Sequence, residues 1–251
     1  MTLAHPITQR RMESRYAVPL DLAARLEAEL PQFTTPIEAV RGRPTTFLTA
    51  VYLDRPDLSL ARAAALDLGQ VEEIRSREEY SHEDSPVASL WIEWKARRET
   101  WSDQRRFALA KERFGQLCLG TLRWESVQVA QPLGEDISGM EGFRRVMSSA
   151  RGVLLPRFAV TCRRRAFTIT SPRIRVTLDC DIRFHEVPPS PYQGPGALSP
   201  RRLGRVFLSL PYAVLSVKTA GEIPSPLREI VRPLSRVSLS KFAIGARCIL
   251  G

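Results

Sequence analysis

Apolar and polar side chains alternate most cleanly between 173 and 184. Ile174, Val176, Leu178, Cys180, Ile182 and Phe184 take every second position. Arg173, Arg175, Thr177, Asp179, Asp181 and Arg183 lie between them. Successive side chains of a strand point to opposite faces, so this spacing predicts one apolar and one charged face. The pattern recurs at 90–97, where Leu90, Ile92 and Trp94 oppose Trp91, Glu93, Lys95 and Arg97. Arg75 and Arg77 share a face, as do Gln104 and Arg106 (opposite Phe107 and Leu109) and Ser216 and Lys218.

Around these segments the chain reads as many strands with few, dispersed helices. Strands are predicted at 15–18, 46–54, 71–77, 88–98, 104–110 and 206–218, with two long strands over 156–185 joined near Ser171-Pro172. Residues 19–30 predict a helix with Pro19 and Asp21 at its start, where proline and acidic side chains are favoured. Further helices are predicted at 57–66, within 135–150 and near 225–235, a turn at 78–86 and a Pro- and Gly-rich loop at 187–204. With no repeat and no composition break, 1–251 reads as a single domain. The expected class is α+β: an antiparallel closed β-barrel with helices covering the outside.

Composition narrows the function. Of 251 residues, 43% are hydrophobic and 25% charged, a globular balance, and no apolar run approaches a membrane span. The N-terminus MTLAHPITQRR lacks an apolar signal core, which predicts a cytoplasmic protein. Cys118, Cys162, Cys180 and Cys248 are scattered and read as reduced core thiols. His5, His82 and His185 are isolated and read as surface residues rather than ligands. The formal net charge of +10 implies an anionic partner: nucleic acid, a membrane surface or a phosphate compound. Of 37 basic residues only Lys95, Lys111, Lys218 and Lys241 are lysines, leaving 37 − 4 = 33 arginines, whose planar forks suit phosphate oxygens.

The charged strand faces have two readings. One is an ordinary sheet with a dry and a wet face. The other is a barrel whose basic faces converge inside, which repels itself unless carboxylates or an anionic ligand neutralise it.

Short motifs in a fixed order then point to a family. They are Glu13-Ser14-Arg15-Tyr16, Tyr52-Leu53-Asp54, Arg75-Ser76-Arg77, Glu93-Trp94-Lys95, Gln104-Arg105-Arg106-Phe107, Cys162 to Phe167, Arg175-Val176-Thr177-Leu178-Asp179, Leu215-Ser216-Val217-Lys218 and Ser240-Lys241-Phe242. From about Glu13 to Gly245 the chain resembles the VTC (vacuolar transporter chaperone) domain, the polyphosphate polymerase branch of the CYTH-like triphosphate tunnel metalloenzymes. Lys95, Lys218 and Lys241 fall on the family's lysine positions.

The resemblance implies a tunnel of antiparallel strands that transfers the γ-phosphate of ATP to a polyphosphate chain with a divalent metal, Mn²⁺ or Mg²⁺. It implies Lys218, Lys95 and Arg164 as catalytic residues. It implies Arg15, Arg75, Arg77, Lys95, Arg106, Arg164, Arg175, Lys218, Ser240 and Lys241 as phosphate-binding. Such transfer needs positioning and charge neutralisation more than a covalent catalyst.

Departures fall on functional positions. Ser216 replaces the metal-binding glutamate, leaving Glu93 or Glu13 as candidate ligands, and a hydroxyl is a poor ligand for a hard divalent ion. Gln104 replaces a lysine, Arg15 a lysine and Cys162 a tyrosine. A degenerate tunnel that binds polyphosphate or a nucleoside triphosphate without turnover therefore stands beside the enzyme reading. The expected partners are ATP, triphosphate or polyphosphate, with no specific nucleic acid. Any translocation role requires a membrane-protein partner. A nucleic-acid or membrane binder acting through its basic surface is the remaining alternative.

Overall fold

A computed structural model describes residues 12–38, 42–66, 70–85, 87, 89–98, 101–123, 152–170, 174–194, 196–219 and 221–251. The expected helix within 135–150, the Ser171-Pro172 connection, Arg173 and His5 lie outside the described residues. The hydrogen-bonded strand order is β11-β1-β10-β8-β7-β3-β4-β5-β6, with β2 on β7 and β9 on β8. The chain parts into two compact units, and β7 (Leu155–Ile169) and β8 (Ile174–His185) contribute residues to both.

The first unit comprises Met1–Thr45, Arg164–Cys180 and Pro211–Ser238. β1 (Met12–Val18) pairs antiparallel with β10 (Ala213–Thr219), and β10 pairs antiparallel with β8. β11 (Ser235–Arg236) adds to β1, and β2 (Thr35–Ile37) to β7. Ile174, Val176, Leu178 and Cys180 of the predicted apolar stripe of β8 pack with Leu215 and Val217 of β10 against Ala23 and Leu26 of α1 (Leu20–Glu29) and against a later helix, Ser225–Val231, through Leu227 and Val231. Each such buried aliphatic side chain contributes on the order of 2 kcal/mol, so this face faces the helices and the charged face is left uncovered by them.

The second unit comprises Thr46–Arg163, Asp181–Leu210 and Leu239–Gly251. β3 (Thr45–Asp54), β4 (Gln70–Tyr80), β5 (Ser89–Arg98) and β6 (Trp101–Ala110) form an antiparallel meander. α2 (Ser59–Ala65) lies against β4 and against the C-terminal helix Lys241–Leu250. A third helix, Phe114–Cys118, follows β6. The loop 187–204 is pinned to β4. Glu78 is ion-paired to Lys111 at 2.5 Å and accepts from the Leu198 amide at 2.6 Å, while Ser76 shares a hydrogen bond with the Tyr192 hydroxyl at 2.7 Å.

Three expectations are corrected. Among the described residues the expected closed barrel is not seen: β11 and β6 end the strand order, each with one neighbour, whereas closure gives every strand two. The described helices cover only part of the sheet. The single strand expected at 206–218 is two, β9 (Val206–Ser209) and β10, because Pro211 lacks the amide a ladder needs. In addition, β4 runs on to Tyr80 through residues assigned to a turn. The C-terminal helix, Lys241–Leu250, is an addition to the expected elements.

Candidate functional site

In the first unit the register gathers charge on the face away from the helices. Lys218 sits opposite Arg175 on β8 and opposite Glu13 on β1. Ser216 sits opposite Thr177 and Arg15. Glu13 is 2.9 Å from Arg15 and 3.9 Å from Lys218. Arg164 grips Asp179 with both edges of its fork, Nε to Oδ1 at 2.6 Å and Nη2 to Oδ2 at 2.8 Å. Arg15, Arg164, Arg175 and Lys218 are thus brought to one face, of which the strand alternation predicts Arg175 and Lys218.

The second unit holds a denser constellation, built on β4 and β5. Glu73, Arg75, Arg77 and Glu79 alternate with inward-packed Ile74 and buried Ser76 and Glu78. Glu93 on β5 is fully buried. Its Oε2 accepts from Arg75 Nε at 2.8 Å and Nη2 at 2.6 Å, and its Oε1 lies 3.1 Å from Arg77. Burial works against its charge, but Arg75, Arg77 and Lys95 outweigh it and hold this carboxyl well below the usual range. Arg75 Nη1 donates to the Tyr52 hydroxyl at 3.2 Å. Burial, only partly opposed by Arg75, pushes that hydroxyl up to about 12. Lys95 is 3.2 Å from Glu73, its direct cross-strand partner. Arg106 lies opposite Glu93 and stacks over Trp91, 4.6 Å from the ring centre. Gln104 is exposed, and the Arg105 side chain lies outside what is described.

The closing motif divides its roles. The Ser240 hydroxyl accepts from the Ala243 amide at 3.2 Å and caps the C-terminal helix. Lys241 Nζ is 4.0 Å from the Cys162 sulfur. Phe242 stacks on Tyr52 and Phe158. The fourth lysine, Lys111, is structural through Glu78 and the Gly196 carbonyl.

Smaller expectations resolve in both directions. Cys118, Cys162 and Cys180 are buried, but Cys248 is exposed. His82 is exposed, whereas His185 is buried and bonded to Thr161 at 2.9 Å. Arg165 reaches the covering helix α1 through the Glu27 carbonyl, at 2.7 Å. Sequence reasoning missed Glu73, Glu79 and the Tyr52 hydroxyl as members of the second face, although the period-2 spacing of 73, 75, 77 and 79 carried the signal.

Among the described residues the candidate ligands do not assemble a divalent-metal site. Ser216 offers a hydroxyl beside Thr177 and Arg15. Glu13, Asp179 and Glu93 are each engaged by arginine. Among the described residues no three His, Cys, Asp or Glu side chains come together.

The VTC-domain family model matches residues 10–250. Comparison with curated proteins returns no match. Among solved structures, a Bacillus halodurans protein provisionally described as an adenylate cyclase superposes with a TM-score of 0.53 at 14% identity, covering 92% of this chain and 94% of its own. The PH1819 protein of Pyrococcus horikoshii OT3 gives a TM-score of 0.44 at 9% identity, covering 93% and 97%.

Proposed function

The chain belongs to the VTC-domain family, and from that premise we propose that it binds the phosphate groups of a nucleoside triphosphate or polyphosphate on its basic strand faces. The observation that carries this reading is Lys218 directly opposite Arg175 across β10 and β8. Cations brought together on one strand face attract a polyanion that can reach both. Arginine forks add bidentate contacts to phosphate oxygens. Ser216 in place of a carboxylate lowers the negative charge of this face, which strengthens attraction to phosphate while withdrawing a metal ligand.

A second reading, transfer of the ATP γ-phosphate to a polyphosphate chain, is favoured by the lysines kept at 95, 218 and 241. In it these side chains orient and neutralise the phosphates. Calorimetry with tripolyphosphate, alongside incubation with ATP, Mn²⁺ and a short polyphosphate primer, separates the two. Binding without polymer, weakened at least tenfold by Lys218→Ala, is the expected result. Polymer that vanishes in Lys218→Ala establishes the second reading instead. Absence of both signals overturns both.

A further inference from the structure

The carboxylates on the β4–β5 face are not equivalent. Glu93 is fully buried and takes two short bonds from one edge of Arg75, plus a contact from Arg77. Glu73 and Glu79 lie nearer solvent, with side chains 13% and 18% exposed. Glu73 Oε1 sits 3.2 Å from Lys95 Nζ and 3.7 Å from Arg75 Nη1. Glu93 occupies the Nε/Nη2 edge of Arg75, and Nη1, which donates to the Tyr52 hydroxyl, has Glu73 beside it. Glu79 is a looser counterpart, 3.8 Å from Arg77.

We infer that Glu73 is an internal anion that occupies the Lys95–Arg75 seat and is displaced when a phosphate binds there, so that it sets affinity and selects for polyanions. The inference rests on the reading that this face binds phosphates. Glu93 is the fixed counter-ion: it keeps Arg75 and Arg77 together and is too buried and too well bonded to leave. Glu73 is the less buried of the two, and its contacts to Lys95 and Arg75, at 3.2 and 3.7 Å, are longer than the bonds between Arg75 and Glu93. A small anion that trades places with Glu73 gains little, since one carboxylate contact is exchanged for another and the repelled carboxylate stays close. A phosphate chain that takes the Lys95–Arg75 seat and extends to Arg77 or Arg106 gains contacts that a lone phosphate cannot make. The device therefore favours chains of phosphates over orthophosphate.

The test is titration calorimetry of the whole chain with tripolyphosphate and with orthophosphate. It compares wild type, Glu73→Gln and Glu72→Gln, the last making the same charge change one position along on the opposite face. Removing a like charge a few ångströms from the bound anion is expected to tighten tripolyphosphate binding about tenfold. Glu72→Gln is expected to stay within about twofold of wild type, and orthophosphate binding becomes measurable only in Glu73→Gln. A gain of affinity cannot come from damaged folding. Wild-type binding with no gain in Glu73→Gln, or an equal gain in Glu72→Gln, overturns the inference and leaves the phosphate-binding reading standing. Absence of tripolyphosphate binding by all three proteins overturns both.

Discussion

At Glu93 a carboxylate with no solvent exposure lies between the guanidinium groups of Arg75 and Arg77. Removing one member of a buried ionic cluster leaves the remaining charges uncompensated, so Glu93→Gln is expected to lower stability by about 3–5 kcal/mol, read from urea denaturation at neutral pH. The same carboxylate makes stability pH-dependent. Its folded-state pKa is depressed, so its contribution is fully present above the unfolded glutamate value of about 4.3 and is lost as pH falls below it. The urea midpoint of wild type should therefore fall on acidification below about pH 4.3, and the gap to Glu93→Gln should narrow. An equal gap at pH 7 and pH 3 would show that the side chain acts through packing alone. The side-chain type and face of Glu93 are legible in 90–97. Its contact with two arginines is not, because that depends on which residues of β4 lie opposite β5.

The C-terminal helix shows how an element can be set by what it packs against. Ser240 caps its start, Phe242 stacks with Tyr52, and Gly245 lies on the ring of Phe158 so closely that a Cβ there would overlap the ring. Gly245→Ala must move the helix or tilt the ring, and such overpacking is expected to cost about 1–3 kcal/mol, read from thermal unfolding. A melting temperature equal to wild type would mean that the helix re-seats freely. Within Lys241–Leu250 only Lys241 and Arg247 are charged. β4 is a second case. Its last residues, Glu78 to Tyr80, look like a turn, yet Glu78 is held by Lys111 and Leu198, and Tyr80 by Thr49, all distant in sequence. Tertiary partners satisfy these polar groups and let the strand continue. At Pro211 local chemistry suffices to break the segment, since a missing amide cannot be replaced by packing.

Across the whole molecule the formal charge of +10 attracts any polyanion. Defined basic faces and a diffuse basic surface differ in what single substitutions do. Lys95→Ala is expected to weaken tripolyphosphate binding at least tenfold, while Arg25→Ala, at a side chain 73% exposed on α1, leaves it within about twofold. Equal losses from both would assign binding to the net charge and reinstate the basic-surface alternative. The family, the alternation of strand faces, and the placement of Arg15, Arg75, Arg77, Lys95, Arg106, Arg164, Arg175 and Lys218 on charged faces are all legible in the chain, because period 2 is a local property of extended backbone. Which charge meets which was decided by strand register and by burial. Those put Lys218 opposite Arg175, Asp179 into the fork of Arg164, and Glu93 rather than Glu73 at the buried centre of the second face. The open strand order was likewise a tertiary outcome, since closure depends on the pairing of strands far apart in sequence and no local pattern specifies it.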